Sequence, residues 1–167
     1  MVATVSGYAG GSTPAPTYRD IGDHTETVLV AFDRRKVSYR ELLDVFWSSH
    51  NPRSDPSDTQ YRNVVFAETD AQFAAAAASK AQVEKRLGRP SPTAVERVGT
   101  FFPAEDYHQK FYLRQNKDLE REFRKKYPAE VDFVASTLAA RLNGRLGGNG
   151  TAAQFEKAME ELLGKKR

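Results

Sequence analysis

His24-Thr25-Glu26-Thr27-Val28-Leu29-Val30-Ala31-Phe32 alternates along its whole length. Thr25, Thr27, Leu29 and Ala31 fall on one face, and His24, Glu26, Val28, Val30 and Phe32 on the other. That period of two is the signature of a β-strand. The pattern sets the Glu26 carboxyl beside an apolar face expected to be buried, where it must be hydrogen-bonded, paired or protonated. Just beyond, Ser38-Tyr39-Arg40-Glu41 has the form of a capping box. Behind it Leu42, Leu43, Phe46 and Trp47 stand at helical spacing, and the helix should stop near His50-Asn51-Pro52.

The same alternation of strand and helix extends in both directions. Met1 to Tyr8 reads as a short strand ending at Gly7, followed by a Gly/Pro/Ser/Thr loop from Ala9 to Pro16. Tyr61 to Ala67 reads as a strand. Thr69-Asp70-Ala71-Gln72 is a second capping box, opening an Ala-rich helix that ends at Leu87-Gly88. Ala94 to Phe102 reads as a strand and Ala104 to Asn116 as a helix. From Leu119 to Leu142 the spacing predicts two helical pieces split at Pro128, and Thr151 starts a last amphipathic helix. This order predicts an α/β (α+β) two-layer sandwich with a mixed sheet, plus a C-terminal helical extension.

The bulk composition narrows the class. The 167 residues suffice for one domain with a core, and 40% hydrophobic with 28% charged residues is the balance of a globular protein. No apolar run approaches the roughly 20 residues of a membrane span. The net charge is only +3, and basic residues alternate with acids, as in Glu120-Arg121-Glu122-Phe123-Arg124-Lys125-Lys126. A solvated helix face and a basic tail at Lys165-Lys166-Arg167 account for it, and no nucleic-acid partner is expected. There is no cysteine, so this chain has no disulfide, thiolate metal site or thiol redox cycle of its own. His24, His50 and His108, even with Glu105 and Asp106, match no short zinc spacing, and neither a metal nor a cofactor is expected.

Tyr18, Glu26 and Tyr61 form the candidate polar constellation. A tyrosine offers an O–H donor, and a glutamate on an apolar face can hold a proton for donation. Around them, Gly7-Tyr8-Ala9-Gly10-Gly11, Pro16-Thr17-Tyr18, His24-Thr25-Glu26, Val45-Phe46-Trp47-Ser48-Ser49-His50-Asn51-Pro52, Gln60-Tyr61-Arg62 and Ala104-Glu105-Asp106-Tyr107-His108-Gln109 occur in this order. Together they resemble the A-type peptide methionine sulfoxide reductases, which act on the S epimer of methionine sulfoxide. The resemblance implies an α/β two-layer core and the reduction of peptidyl methionine sulfoxide. It implies that Glu26 protonates or hydrogen-bonds the sulfoxide oxygen and that Tyr18 and Tyr61 hold the same oxygen. It also places His24, and one of Asp55 and Asp58, behind these three. The family reductant is thioredoxin or a small thiol.

The family nucleophile is a cysteine in a Gly-Cys-Phe-Trp-Gly motif, expected upstream of Thr4-Val5-Ser6-Gly7-Tyr8. The resemblance therefore implies a core at 1–116 that lacks its first strand, nucleophile loop and helix, with a helical extension at 117–167 packed on the same domain. As written, the chain is expected to be inactive. The full-length form would be the thioredoxin-dependent enzyme, and a targeting segment would be lost with the same N-terminal part. The default compartment is cytoplasmic and the expected state a monomer. The alternative is a non-catalytic domain of the same fold that binds methionine, its sulfoxide or a partner.

Overall fold

The computed structural model describes residues 2–54 and 56–164. Along the chain these form β1 (Ala3–Ala9), β2 (Thr25–Ala31), α1 (Tyr39–Ser48), β3 (Val64–Ala67), α2 (Asp70–Leu87), β4 (Ala94–Arg97) and β5 (Phe102–Pro103). Five helices follow: α3 (Phe111–Gln115), α4 (Lys117–Lys126), α5 (Glu130–Ala135), α6 (Thr137–Leu146) and α7 (Ala152–Leu163). The α/β class expected from the sequence is what is observed. The strands lie in two small sheets, one of order β2-β1-β5 and one pairing β3 with β4.

The described residues pack as two compact units. One comprises Gly7–Thr27 and Arg34–Phe102. Its centre is β3-α2-β4, two parallel strands joined through a helix, with Val64 opposite Ala94 and Phe66 opposite Glu96. Ser38 starts α1 with both halves of the capping box in place: its Oγ accepts from the Glu41 N–H and its own N–H donates to the Glu41 carboxylate. Thr69 caps α2, but the Gln72 side chain reaches one residue further back, to the Glu68 N–H. Leu43 and Trp47 of α1 meet Ala76 and Val83 of α2, with Val65 and Val95 of the two strands against them. The Trp47 indole N–H finds the buried Ser79 hydroxyl at 2.7 Å, as an enclosed indole requires. Gly7 is demanded by a close approach, because a Cβ there would lie 2.4 Å from the Phe102 carbonyl oxygen.

The other unit takes the residues up to Ser6, Val28–Asp33 and everything from Pro103. Its core is helical: Leu113, Phe123, Phe133, Leu138, Leu142, Ala158 and Leu162. Strand β1 is tied into it by side chains. The Gln109 amide accepts from the Ser6 N–H (2.9 Å) and donates to the Ser6 carbonyl (2.8 Å), as a neighbouring strand would. The Lys110 ammonium donates to the Thr4 carbonyl and hydroxyl. Lys110 is buried, and desolvation, with the Arg114 charge beside it, lowers its pKa to about 8. Glu130 binds both Arg114 and Arg124, and the two guanidiniums lie over the Phe133 ring at 4.9 and 4.4 Å.

Several boundaries differ from expectation. The strand expected at Ala94 to Phe102 is two strands in different sheets, β4 and β5. The helix expected at Ala104 to Asn116 is broken at Lys110, whose φ of 53° is left-handed and separates a 3-10 turn (Asp106–His108) from α3. The two pieces expected across Pro128 are three, because Ser136 stops α5 and caps α6. Tyr61 closes a 3-10 turn (Thr59–Tyr61) and does not begin β3. The face of β2 carrying Glu26 is not buried along its length: Glu26 is exposed and Val28 is 56% exposed, although His24 on the same face is 1% exposed. The basic tail at Lys165-Lys166-Arg167 lies outside the described residues.

Candidate functional site

The site is built on the loop between β1 and β2. Asp23 organises it. Its carboxylate accepts the Ser12 and Thr13 backbone N–H groups and both their hydroxyls, at 2.7–2.9 Å. These bonds, those from Thr13 first, hold its pKa well below the usual carboxylate range. His24 is 1% exposed; its Nδ1 accepts from the Gly11 N–H (3.2 Å), so the tautomer that satisfies both nitrogens carries its proton on Nε2 and donates to the Thr13 carbonyl (2.8 Å). His24 thus anchors the Gly-rich turn and spends both ring nitrogens there.

Tyr18 and Glu26 meet at Tyr61. The Tyr61 hydroxyl is hydrogen-bonded to Tyr18, and that bond is the largest reason its pKa is pushed up to about 12. Desolvation and the charges of Tyr18, Glu26 and Asp58 push the same way. Asp58 accepts from the Gln60 N–H (2.9 Å) and so caps the turn that carries Tyr61. The Gln60 side chain turns back to β2 and donates to Oε1 of Glu26 (2.6 Å). Tyr18 and Tyr61 are 40% and 50% exposed.

A part-buried relay holds the turn against the strand. The Thr25 hydroxyl donates to the Thr59 carbonyl (3.0 Å) and accepts from Arg62 Nε (2.8 Å). Arg62 in turn forks onto both oxygens of Glu96 in β4. Asp55 lies outside the described residues. His50 bonds the Phe46 carbonyl (2.8 Å) and Thr93 (3.2 Å), and His108 lies 3.9 Å from Glu105. Among the described residues no group of His, Asp or Glu is placed to hold a metal, and no helix is long and apolar enough to cross a membrane.

Residues 1–140 match the family model described as "Peptide methionine sulfoxide reductase". The chain belongs to this family. A Drosophila melanogaster peptide methionine sulfoxide reductase is 38% identical over 166 residues, which are 98% of this chain and 66% of that protein. The peptide methionine sulfoxide reductase MsrA of Methanoculleus marisnigri is 41% identical over 126 residues, 69% of this chain and 77% of the relative. Among solved structures, reduced Mxr1 from Saccharomyces cerevisiae superposes with a TM-score of 0.62 at 29% identity, covering 68% of this chain and 71% of that one. Against the Drosophila protein and the A5 reductases of Oryza sativa and Arabidopsis thaliana, the chain spans 66%, 58% and 58% of the relative's length.

Sequence reasoning singled out the tyrosines, Glu26, His24 and Asp58 as residues, but not the side chains that connect them. Gln60 and Arg62 flank Tyr61 in the sequence, yet nothing in spacing alone says that one reaches Glu26 and the other Thr25.

Proposed function

We propose that Tyr18, Glu26 and Tyr61 form the oxygen-holding part of a peptide methionine (S)-sulfoxide reductase site. The observation that carries this reading is the convergence of two tyrosine hydroxyls, hydrogen-bonded to one another, with the Glu26 carboxylate acting on the same phenol. The names of the relatives support the reaction class.

The chemistry asks for such a cluster. A thiolate attacks the sulfoxide sulfur, the S–O bond breaks, and the oxygen leaves on the attacking thiol as a sulfenic acid while the substrate sulfur is reduced to a thioether. Negative charge gathers on the oxygen during attack, and O–H donors aimed at it stabilise that charge. Glu26 supplies a proton to the oxygen, while Tyr18 and Tyr61 donate hydrogen bonds to it. Thioredoxin or a small thiol then returns the sulfenic acid to the thiol.

The thiol nucleophile is not among the 167 residues, which contain no cysteine. This polypeptide alone therefore binds the sulfoxide group and does not turn it over. Because the tyrosines are open to water, binding is weak, on the order of millimolar. The test is a titration of 15N-labelled protein with N-acetylmethionine (S)-sulfoxide methyl ester, beside a turnover assay with dithiothreitol. Shifts confined to Tyr18, Glu26, Tyr61 and their neighbours, absent in Glu26→Gln, with no reduction above the protein-free rate, are expected. Turnover by the chain itself, or shifts elsewhere only, would overturn the reading.

A further inference from the structure

We propose that Gln60 is a positioning residue for Glu26, assigning the acid proton to one of its two carboxyl oxygens. The proposal rests on the oxygen-binding reading above and goes beyond it. A carboxyl that gives a proton to a bound oxygen must present that proton from a defined atom. The Gln60 amide donates to Glu26 Oε1 at 2.6 Å. An oxygen that accepts from an N–H keeps its lone pair engaged there, so in the protonated acid the hydrogen resides on Oε2. Without Gln60 the two oxygens are equivalent and the acid populates both arrangements.

Gln60 is itself held. Its backbone N–H donates to Asp58, the residue is half-buried, and the preceding carbonyl, Thr59, is fixed to Thr25, the residue adjacent to Glu26. Arg62 and Glu96 complete that anchor from β4. The turn is therefore tied to β2 by a part-buried Thr–Arg–Glu relay, and Gln60 reaches one oxygen atom of Glu26 from that anchored turn. Glu26, Tyr18 and Asp58 all act on the neighbouring Tyr61, and Arg62 is engaged by Thr25 and Glu96.

The test combines two readouts on the 167-residue chain. The first needs no ligand: the side-chain 15N–1H signals of Gln60 should move through an acid transition as Glu26 takes up its proton, and that transition should vanish in Glu26→Gln. The second is the affinity for N-acetylmethionine (S)-sulfoxide methyl ester at acidic pH. Gln60→Met, which keeps the side-chain length without a donor, should weaken binding on the order of tenfold. Gln60→Asn, one methylene too short to reach, should behave the same, and both should keep the wild-type backbone spectrum. Gln60 signals that ignore Glu26, or wild-type affinity in both variants, would overturn the positioning role while leaving the oxygen-binding reading intact. A wild-type chain that fails to bind the ester overturns both, and is recognised because it fails before any Gln60 variant is compared.

Discussion

Asp23 and Tyr61 show how little of a site resides in the residue that does the chemistry. The Asp23 carboxylate gathers the N–H groups and hydroxyls of Ser12 and Thr13, in the same loop that carries Tyr18. With its pKa lowered in the folded state, its contribution to stability is complete above the unfolded value near 3.8 and is lost as pH falls below it. Asp23→Asn should therefore lower the Tm at pH 7, and the gap from wild type should narrow progressively below about pH 4. Thermal melts at a series of pH values check this, and a gap independent of pH would contradict it. For Tyr61 the chief perturbation is the Tyr18 hydroxyl, so Tyr18→Phe should bring its pKa from about 12 back toward 10. A 13C titration of the tyrosine ring carbons reads that directly. Sequence alone named Tyr18, Glu26 and Tyr61 but put Glu26 on a buried face. A two-residue period says which side chains share a face, not which face another element covers, and Val28 is left 56% exposed.

At the level of elements, legibility followed the locality of the signal. Helix starts at Ser38, Thr69 and Thr151 were readable because a cap is a contact among four adjacent residues. Breaks set by distant partners were not. Lys110 adopts a left-handed backbone while its side chain bonds Thr4, so α3 starts late although Tyr107 to Leu113 have helical composition. Likewise Arg97 and Phe102 go to different sheets for reasons that lie in β1 and β3, not between them. The α4–α5 junction makes a quantitative test possible. Glu130 neutralises two arginines, one of which, Arg114, has a side chain only 13% exposed. Glu130→Ala leaves those charges facing each other over Phe133 and should cost about 1–2 kcal/mol in urea denaturation. The loss should be smaller than for Phe133→Ala, which removes a fully buried ring at about 3–4 kcal/mol.

For the molecule as a whole, pH and stability are linked through Lys110. In the unfolded chain its amine titrates near 10.5, and in the folded protein at about 8. Between those values the unfolded form holds a proton that the folded form has released, so stability rises with pH across that window. Other amines and phenols titrate there too, so the measurement is the difference from Lys110→Met: wild type should gain on the variant from pH 8 to 10.5. A constant difference would show that the ammonium is not the strained species. The α/β class was legible because strand and helix periods alternate along the chain, whereas the division of five strands between two small sheets depends on pairings that no local pattern encodes.

The side-chain tether on β1 also has a consequence for biosynthesis. Ser6 is bonded to a residue 103 positions later, Thr4 to one 106 positions later, and the Val2 carbonyl to Thr137, 135 positions later. These partners of the strand are synthesised more than a hundred residues after it. Until then only the edge of β1 paired with β2 has its partner, the opposite edge is met by water, and closing that long loop carries an entropic cost.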